Sequence, residues 1–572
     1  MKLNQSLFYL LLCFPLFHFW SKCETLMKPL LILFVGLVSL VLFKKLKMLF
    51  RDTFTIIVSI TFIMLLLLQL FYNWEIDISP YIFLLSLFLF YKICFCLLQF
   101  NTQLKQNYLI FKTYVILISL EIVFFLLSDT FIFSSFQPNN SIFSILLAAQ
   151  LIFILPSFDN FIKSYKAQNI LLFSFILLTY SLLLYTKGRA GILGFSIALI
   201  IFKYDYIRSK IGNLKIVIIG TCILLALINF KNDSSSGRLL IYKVVLTQLE
   251  PKELITGIGY GKFKTRYNQL QAKYFSENSI NSKEALLADN IGYMYNDPLQ
   301  LIIETGLTGI VFILFIIIKL LLILKNNENL IQKSPNLKGA SLSILCVLIS
   351  SFFMYPFQIT CILLHLLFCV TLIIQATYIE KKPFLSSQKI PSIICKTSLL
   401  LTSGSLLFFG CKSFEFYLKS EQASLYANKG LRQKSIKAYD NLSHSFIKDG
   451  YVLYNYSNEL IKINKIDSAL IILQKANNYV YDSNSTELMG NLLYEKNNFT
   501  EAEKYYKQSV FMNPKLFNSR LSLFKFYCKT KQFEKASFWG KSILKMPVKI
   551  PSENVNSIKK ETEKLLSDPN FK

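Results

Sequence analysis

Lysine and arginine stand beside glycine in a short polar segment between two apolar runs. The segment is YTKGRAG (185–191), in which Lys187 and Arg189 flank Gly188 and are followed by Gly191. Glycine lets a backbone approach a ligand closely, and a guanidinium group binds phosphate through two parallel hydrogen bonds. These residue types therefore predict contacts to an anionic ligand.

A second arginine lies at the start of a long polar segment. In SSSGRLLIYKVVL (234–246), we expect Ser236 to cap a helix whose first turn carries Arg238. The N–H groups of a helix N-terminus, together with a guanidinium, form an anion site. Arg238 is therefore a second candidate for phosphate binding.

Three alternating glycines occur further along the same polar segment. The stretch LITGIGYGKFKTRY (254–267) contains Gly257, Gly259 and Gly261, followed by Lys262, Lys264 and Arg266. This glycine spacing alone is weak evidence for nucleotide binding. We predict below that the segment lies outside the cell membrane, where neither ATP nor a dinucleotide is supplied, and this excludes both.

Acidic and amide side chains gather just before the next apolar run. The stretch DNIGYMYNDPLQLIIETGLTG (289–309) presents Asp289, Tyr295, Asn296, Asp297 and Glu304 at the membrane surface. A carboxylate there can act as a general base toward a hydroxyl group. Asp297 also precedes Pro298, so the alternative role is to cap a helix, and the sequence favours neither role.

Long apolar runs surround these polar segments. Of the 572 residues, 53% are hydrophobic and 17% are charged, and several runs reach the roughly 20 residues that a membrane-spanning helix needs. This composition excludes a single soluble domain. We predict thirteen spans, near 5–20, 27–43, 53–72, 80–100, 108–127, 142–156, 169–186, 190–202, 214–230, 301–324, 339–355, 358–378 and 391–410. The first is short and could be a signal peptide, although no small-x-small cleavage site precedes Ser21.

The distribution of basic residues orients these spans. With a cytoplasmic N-terminus, the inside connections carry eighteen lysines and arginines, and the short outside connections carry four. Because basic residues concentrate on the cytoplasmic side of membrane proteins, we expect the segment 231–300, called the outer loop, and the C-terminal domain to lie outside. The same rule explains the formal charge of +27, so no nucleic-acid partner is expected.

Few ionisable residues lie inside the apolar runs. Glu121 has no partner nearby in sequence, which leaves a functional role open, whereas His365 is more often a packing residue. An ion-driven transporter needs charged groups along its spans, and the sequence disfavours that class. The 11 cysteines show neither a disulfide framework nor zinc spacing, so we expect no metal and no cofactor.

Small residues recur at a fixed spacing after Ser420. They are Ser435, Ala469, Ala502 and Ala536, separated by 34, 33 and 34 residues. Nine positions before them lie Tyr426, Leu460, Leu493 and Tyr527, and four positions after the first three lie Tyr439, Leu473 and Tyr506. The pattern resembles tetratricopeptide repeats, which are stacked pairs of antiparallel helices that dock partners, and an unrelated helical bundle is the alternative.

These patterns predict an all-α fold with two domains. Residues 1–410 would form a polytopic membrane helix bundle of about 12–13 transmembrane helices. Residues 411–572 would form a periplasmic domain of tetratricopeptide-like helical repeats. The candidate chemistry then belongs to the first domain and its outer loop, and partner docking belongs to the second.

Taken in order, the polar motifs resemble the O-antigen ligase and O-antigen polymerase superfamily of bacterial envelope glycosyltransferases. The resemblance covers roughly residues 170–320 and consists of Arg189 in a Gly-rich turn, Arg238 at the start of the outer loop, the Gly-x-Gly-x-Gly segment, and Asn-x-x-Leu-(x)4-Glu-x-Gly-x-x-Gly from Asn296. It implies a GT-C-like bundle in the inner membrane. Such enzymes pass a glycan from a polyprenyl-diphosphate carrier to an acceptor hydroxyl at the outer face of that membrane, without a metal.

The resemblance also implies roles for individual residues. The side chains that would bind the diphosphate leaving group are Arg189, Arg238, Lys187 and Arg266. Where family members commonly have histidine before the asparagine, this chain has Tyr295, and a tyrosine with a pKa near 10 is a poor base. The base would then be Asp297, next to Asn296, unless the histidine is dispensable in this branch or the chain is inactive.

Several acceptors and two further functions stay open. The acceptor could be a lipid A core, another carrier-linked glycan or a Ser/Thr hydroxyl of a periplasmic protein. Ligation or protein O-glycosylation is favoured over polymerisation, because a repeat array on the same side suits protein acceptors or partners. A non-enzymatic membrane scaffold is the alternative from another class. A carrier-lipid flippase would need a charged central cavity, which these spans do not supply.

Overall fold

The described part of the chain is α-helical and contains no β-strand, which confirms the all-α prediction. The computed structural model describes residues 24–43, 46, 79–98, 103–127, 140–162, 166–204, 208–209, 232–280, 283–380, 392–548 and 551–567. The spans predicted near 5–20, 53–72 and 214–230 lie outside these residues.

Twenty-three α-helices lie within the described ranges. They are α1 (Glu24–Val41), α2 (Ser79–Leu98), α3 (Gln103–Leu127), α4 (Asn140–Ile162), α5 (Lys166–Tyr185), α6 (Arg189–Phe202), α7 (Asn232–Gln248), α8 (Pro251–Thr256), α9 (Phe263–Glu277), α10 (Asp297–Thr305), α11 (Leu307–Asn326), α12 (Glu328–Lys333), α13 (Pro335–Ser351), α14 (Thr360–Glu380), α15 (Ser392–Asn428), α16 (Arg432–Ser443), α17 (Gly450–Ile461), α18 (Ile466–Ala476), α19 (Ser483–Glu495), α20 (Phe499–Met512), α21 (Phe517–Lys529), α22 (Phe533–Lys545) and α23 (Glu553–Leu566). A 3-10 turn at Pro356–Gln358 joins α13 to α14.

The chain divides into two compact units. The first, called the membrane unit, comprises Met1–Asn229, Tyr295–Pro298 and Phe312–Tyr417. The second, called the loop–array unit, comprises Phe230–Met294, Leu299–Val311 and Leu418–Lys572. Helix α15 has 37 residues, and the predicted domain boundary at 410/411 falls inside it.

Apolar helices dominate the described part of the membrane unit. Among the described residues of the chain, three helices are long and apolar enough to cross a membrane, namely Ser79–Leu98, Asn140–Phe158 and Leu307–Asn326. Shorter apolar helices are Leu26–Val41, Arg189–Phe202 and Thr360–Ala376. Charged side chains are costly inside hydrocarbon, so this composition indicates a membrane protein.

Helix α6 packs tightly between α4 and α13 because small residues lie at its contacts. A Cβ atom at Gly191 would lie 2.5 Å from the Ser144 carbonyl oxygen of α4, and one at Gly194 would lie 2.5 Å from the Cys346 carbonyl oxygen of α13. The Ser350 hydroxyl donates a hydrogen bond to the Ala190 carbonyl at 3.0 Å. Both neighbours therefore fix the first turns of α6, where Arg189 lies.

Gly306 interrupts the span predicted near 301–324. Helix α10 ends at Thr305 and α11 begins at Leu307, with Gly306 in the left-handed region at φ 64°. A Cβ atom there would lie 2.1 Å from the Ile255 carbonyl oxygen, so the backbones meet at a distance that only glycine allows. The predicted start of this span is therefore wrong, and the apolar helix begins after the glycine.

The helices after Ser420, called the array, repeat one connection four times. Gly430, Asn464, Asn497 and Lys531 all lie in the left-handed region, at φ 70°, 59°, 60° and 58°. The next residue along the chain in each case donates its N–H to the carbonyl of Tyr426, Leu460, Leu493 or Tyr527, at 2.9 to 3.0 Å. These are Schellman turns, and they recur with the predicted spacing.

The small residues of the array lie at its helix contacts. Ser435, Ala469, Ala502 and Ala536 are each 0% exposed. Helices α17 and α18, α19 and α20, and α21 and α22 pack as consecutive pairs. A Cβ atom at Gly490 would lie 3.0 Å from the Tyr506 ring, so the close packing of α19 on α20 favours glycine at this position. Membership of the tetratricopeptide family stays a prediction.

Candidate active site

The turn before α6 combines a left-handed residue with a helix N-terminus. Lys187 is exposed and has φ 52°. Arg189 is half-buried and is the first residue of α6, and no side chain caps the helix at Gly188. Free backbone N–H groups at a helix N-terminus carry partial positive charge. The turn therefore places a cationic side chain on each side of an N-terminus that favours anions.

The glycines of this turn approach a neighbouring helix. A Cβ atom at Gly188 would lie 1.9 Å from the Ser144 hydroxyl oxygen, and that hydroxyl donates to the Gly188 carbonyl at 3.2 Å. We predicted that Gly188 and Gly191 give a ligand access to the backbone, and the structure instead shows both in contact with α4. Their effect on Arg189 is to fix where its helix begins.

Tyr295 and Asp297 contact the segment that follows α13. Tyr295 is left-handed at φ 57° and packs edge-on against Tyr355, with 5.5 Å between the ring centroids. Asp297 is 4% exposed, and its Oδ2 accepts the Phe357 N–H at 2.7 Å. The carboxyl group is thus oriented by a backbone donor of the Pro356–Gln358 turn, and half-buried Asn296 lies between the two residues.

One segment of the membrane unit contacts both parts of the predicted site. Ser350 binds the Ala190 carbonyl beside Arg189, and Tyr355, a few residues later, packs on Tyr295. Ala190, Tyr355 and Tyr295 share a single hydrophobic cluster. The structure therefore brings Lys187, Arg189, Tyr295, Asn296 and Asp297 to one end of the membrane unit. No sequence motif indicates the contacts of Tyr355 and Phe357, which lie about 60 residues after Tyr295 and Asp297.

Left-handed backbone at Lys187 and Tyr295 is a second property that these positions share. Five described residues other than glycine have positive φ, and the other three are turn residues of the array. A residue with a Cβ atom is strained in this region, and such strain persists where surrounding structure enforces it, often at functional sites. This strain supports a functional role for the end of the membrane unit.

The Gly-x-Gly-x-Gly loop binds a carboxylate of its own chain. Ile258 and Gly259 donate their N–H groups to the carbonyls of Ile303 and Glu304, at 3.0 and 2.9 Å. Gly261 donates its N–H to Glu304 Oε2 at 2.9 Å. Gly257, Gly259 and Gly261 all have positive φ, at 78°, 100° and 75°. The loop therefore wraps the C-terminal end of α10.

Glu304 is the buried centre of this arrangement. It is 3% exposed, and its second oxygen accepts the Gln300 amide at 3.1 Å. Burial raises the pKa of the Glu304 carboxyl, and the hydrogen bonds from Gly261 and Gln300 oppose this shift. The sequence indicates Glu304 as a polar residue at the membrane surface, and this structural role depends on contacts distant in sequence.

Arg266 is bound by two carboxylate oxygens inside the outer loop. Its Nε and Nη2 donate to the two oxygens of Glu253, at 2.8 and 3.0 Å. Burial of Glu253 is outweighed by hydrogen bonds from Arg266 and from the Glu250 N–H, and the pKa of Glu253 is lowered. A diphosphate would have to displace this bidentate pair to bind Arg266.

Arg238 lies on a helix that begins earlier than predicted. Helix α7 starts at Asn232, so Ser236 lies inside it and does not cap it. Arg238, which is half-buried, is in the second turn and not the first. The prediction of an anion site at a helix N-terminus beside Ser236 is therefore wrong. Arg238 and Arg266 belong to the loop–array unit, and Arg189 belongs to the membrane unit.

Glu121 and His365, which lie inside predicted spans, have uncharged partners. Both ring nitrogens of His365 make a hydrogen bond, one with the Tyr114 hydroxyl at 2.8 Å and one with the Ser343 hydroxyl at 2.7 Å. The Gln150 amide donates to Glu121 at 3.0 Å. His365 is thus a satisfied packing residue, and Gln150 is a partner for Glu121 that lies too far along the sequence to be recognised.

An open cleft of about 560 Å³ lies between α9 and α20 in the loop–array unit. Its lining includes Lys273 from α9, and Glu503, Lys504 and Lys507 from α20. Lys507 pairs with Glu503 at 2.8 Å. The charged lining therefore has more lysine than glutamate, and the cleft exists because α9 packs on the array.

A family model matches the part of the chain that carries the candidate site. No curated protein matches the chain. The model described as O-antigen ligase matches residues 173–314. This range contains Arg189, Arg238, the Gly-x-Gly-x-Gly loop and the Asn296–Asp297 motif. As the order of these motifs predicted, this segment is similar to the O-antigen ligase family.

Proposed function

We propose that the protein is a glycosyltransferase of the bacterial inner membrane. It transfers a glycan from a polyprenyl-diphosphate carrier to an acceptor hydroxyl at the outer face of that membrane, as a ligase or a protein O-oligosaccharyltransferase. The observation that carries this proposal is the O-antigen ligase match over residues 173–314. Apolar helices long enough to cross a membrane support the location.

The arginines supply the chemistry of the leaving group. Negative charge develops on the diphosphate as the bond from its oxygen to the glycan breaks, and preorganised donors lower the barrier by stabilising that charge. Arg189, with Lys187 and the N–H groups of the first turn of α6, is such a set of donors. Arg238, which also lies in the matched segment, is the second arginine of the proposal, and its guanidinium would contact phosphate oxygens.

Asp297 is the proposed general base. The acceptor hydroxyl must lose its proton as it attacks the sugar, and a positioned carboxylate can accept it. The Phe357 N–H bound at 2.7 Å fixes the orientation of the Asp297 carboxyl. Tyr295 lies where family members commonly have histidine, and we assign it packing against Tyr355 and no proton transfer.

The outer loop and the array lie on one side of the membrane in this proposal. The charge distribution along the sequence favours the outer side. Hydrogen bonds between the two segments support a common side, because segments on opposite faces of a bilayer could not make them. One example is the bond between the Lys264 ammonium and the Tyr451 hydroxyl, at 2.7 Å.

A membrane scaffold without enzymatic activity is the second candidate. Two observations favour the scaffold. The glycine loop binds Glu304, and Arg266 binds Glu253. The glycines and Arg266 therefore serve the structure of the outer loop. As a scaffold, the protein would bind envelope proteins through the array. The two candidates differ in whether carrier diphosphate is released.

A transfer assay separates these candidates. Purified protein in detergent is mixed with a polyprenyl-diphosphate glycan and, in separate reactions, with a lipid A core, a periplasmic protein or further carrier-linked glycan. We expect release of polyprenyl diphosphate together with glycan on one acceptor. Polymer formation in the reaction that contains carrier-linked glycan alone would show a polymerase. Absence of release with every acceptor would contradict the enzymatic proposal.

A further inference from the structure

Buried amide side chains of the outer loop depend on the array for their hydrogen bonds. Gln271 is 0% exposed, and its amide donates to the Met512 carbonyl of the array and, at 2.9 Å, to the Asp289 carbonyl of the loop. Asn268 is 1% exposed, and its amide donates to the Tyr481 carbonyl at 2.8 Å. A buried amide without partners is strongly unfavourable.

A buried arginine of the array binds the loop in return. Arg520 is 2% exposed, and burial lowers its pKa to about 10. Its guanidinium donates to the Pro514 carbonyl at 2.9 Å, to the Ser542 hydroxyl, and to the Ile280 carbonyl of the outer loop at 3.1 Å. The Ile280 side chain packs against the hydrophobic core of the last helix pairs.

Two adjacent residues of the loop add a polar contact at the surface. Asp289 pairs with Lys515 at 2.6 Å and accepts the Asn513 amide at 3.1 Å. Asn290 donates to the Ser483 hydroxyl at 2.9 Å and accepts the Ser483 N–H at 3.2 Å. The loop is thus bound at α9, at Ile280 and at Asp289–Asn290.

These contacts concentrate at one edge of the array. Tyr481 and Lys515 lie in the connections that lead from one helix pair to the next, and Met512 is the last helical residue before one of them. Ser483 and Arg520 lie in the first turns that follow these connections. In stacked helix pairs, such connections share one edge, and the turns within each pair share the other. The loop therefore occupies the edge opposite the four Schellman turns.

We propose that this edge of the array is an internal brace for residues 263–291. Its ligand is this segment of the same chain, and it is not the surface that docks partner proteins. The brace holds the folded outer loop and, with it, the helix that carries Arg238, because α7 packs on α9. Gln271 and Arg520 are positioning residues in this account. Only its consequence for turnover rests on the proposed glycan transfer.

The first test compares matched pairs of variants in the full-length protein. Gln271→Ala removes a buried amide that binds the array, and Gln269→Ala removes a half-buried amide of the same helix. Limited trypsin digestion, followed by mass spectrometry, measures cleavage at exposed Lys273 and Lys283 of the loop. We expect Gln271→Ala to raise this cleavage rate about tenfold, with the array still resistant. Gln269→Ala should behave as wild type.

The second test approaches the contact from the array. Arg520→Ala should raise cleavage of the loop in the same way, whereas Arg432→Ala, an exposed arginine of the array, should not. If Arg520→Ala also makes the array sensitive to trypsin, the Gln271 pair decides the question. Wild-type cleavage of the loop in both Gln271→Ala and Arg520→Ala would overturn the proposal.

A third test reverses the charges of the Asp289–Lys515 pair. Restored protection in the double variant could not result from a general loss of stability. Asp289→Lys and Lys515→Asp each place like charges at the contact and should release the loop, and the double reversal should restore protection. Transfer by these variants should follow loop protection, with kcat lowered by release and recovered by the double reversal. If the wild type shows no transfer, the proposed function fails, and the digestion results still decide the brace. Failure of the double reversal to restore protection would count against it.

Discussion

Two regions of this protein pair glycines with basic residues, and they use them differently. In the turn 186–189, Gly188 lets α6 begin against Ser144, and the N-terminus that results has no side-chain cap. In the loop 257–266, glycine N–H groups and Arg266 bind Glu304 and Glu253 of the same chain. The comparison teaches that glycines beside basic residues can serve the fold itself, as they do in the loop 257–266, so this motif alone does not identify a ligand site.

The comparison divides the expected effects of mutation into two kinds. Variants at the end of the membrane unit should lose turnover and keep their stability, because their polar groups face the proposed chemistry. Variants in the glycine loop should lose stability and keep the intrinsic rate, because their contacts are internal. Loss of turnover in a glycine-loop variant that stays folded, or loss of stability alone at the end of the membrane unit, would break this division.

Asp297→Asn should have the largest effect. The amide retains the size of the side chain and can still accept the Phe357 N–H, but it cannot accept a proton. Loss of a general base lowers turnover by about 10²- to 10⁴-fold. Steady-state transfer kinetics measure this effect, with Tyr295→Phe as a control that should stay near wild type. A purely structural Asp297 would instead give near-normal kcat in the asparagine variant.

Arg189→Lys should lower turnover by about 10²-fold, the scale for removal of one preorganised charge-stabilising donor. Lysine supplies a point charge in place of the planar fork that matches a diphosphate. Arg238→Lys should have an effect of the same kind. Release of polyprenyl diphosphate from a labelled donor measures both. Normal rates in both lysine variants would remove the diphosphate assignment and move the scaffold candidate ahead.

Glu304→Ala should destabilise the outer loop and not its chemistry. The Gly261 N–H and the buried Gln300 amide would lose their acceptor, and an unsatisfied buried polar group such as the Gln300 amide costs about 1–3 kcal/mol. Digestion of the outer loop by trypsin at increasing temperature measures this loss of stability. Protein that remains folded should keep the wild-type kcat. A folded variant with a kcat lowered a hundredfold would mean that Glu304 takes part in the reaction.

Arg266→Lys should have the smallest effect at neutral pH. The pair with Glu253 is partly exposed, and such pairs contribute little to stability. Because the pKa of Glu253 is lowered in the folded protein, its stabilising contribution is present above the ordinary pKa of about 4.3 and is lost as pH falls. Thermal unfolding from neutral to acidic pH should therefore decline less steeply in Arg266→Lys. An identical pH profile would show that the pair does not contribute.

Local patterns predicted which small residues of the array are buried. The spacing of Ala469, Ala502 and Ala536 follows from a small residue at each helix contact, and the structure buries all three completely. The Schellman turns lie beside them because a helix pair needs one left-handed residue at its connection. Both properties depend on residues close together in sequence. The periodicity predicted the small residues, and the structure adds the turns beside them.

The partners of the site residues could not be predicted in the same way. Gly261 and Glu304 are 43 residues apart, and Asp297 and Phe357 are 60 apart. Nothing local to either residue indicates the other. The start of α7 was misjudged because Ser236 has the right residue type for a cap, while preceding residues continue the helix. Long-range packing decides such cases, and only the folded chain shows it.

The most direct measurement compares Arg189→Lys with Arg266→Lys in a single assay. Both variants replace an arginine of the matched segment with lysine, and the structure gives one a helix N-terminus and the other an internal carboxylate. The measured quantity is release of polyprenyl diphosphate per folded protein, relative to wild type. The account predicts a loss of about 10²-fold for Arg189→Lys and a rate within about threefold of wild type for Arg266→Lys. Equal rates for the two variants, or the larger loss at Arg266, would contradict it.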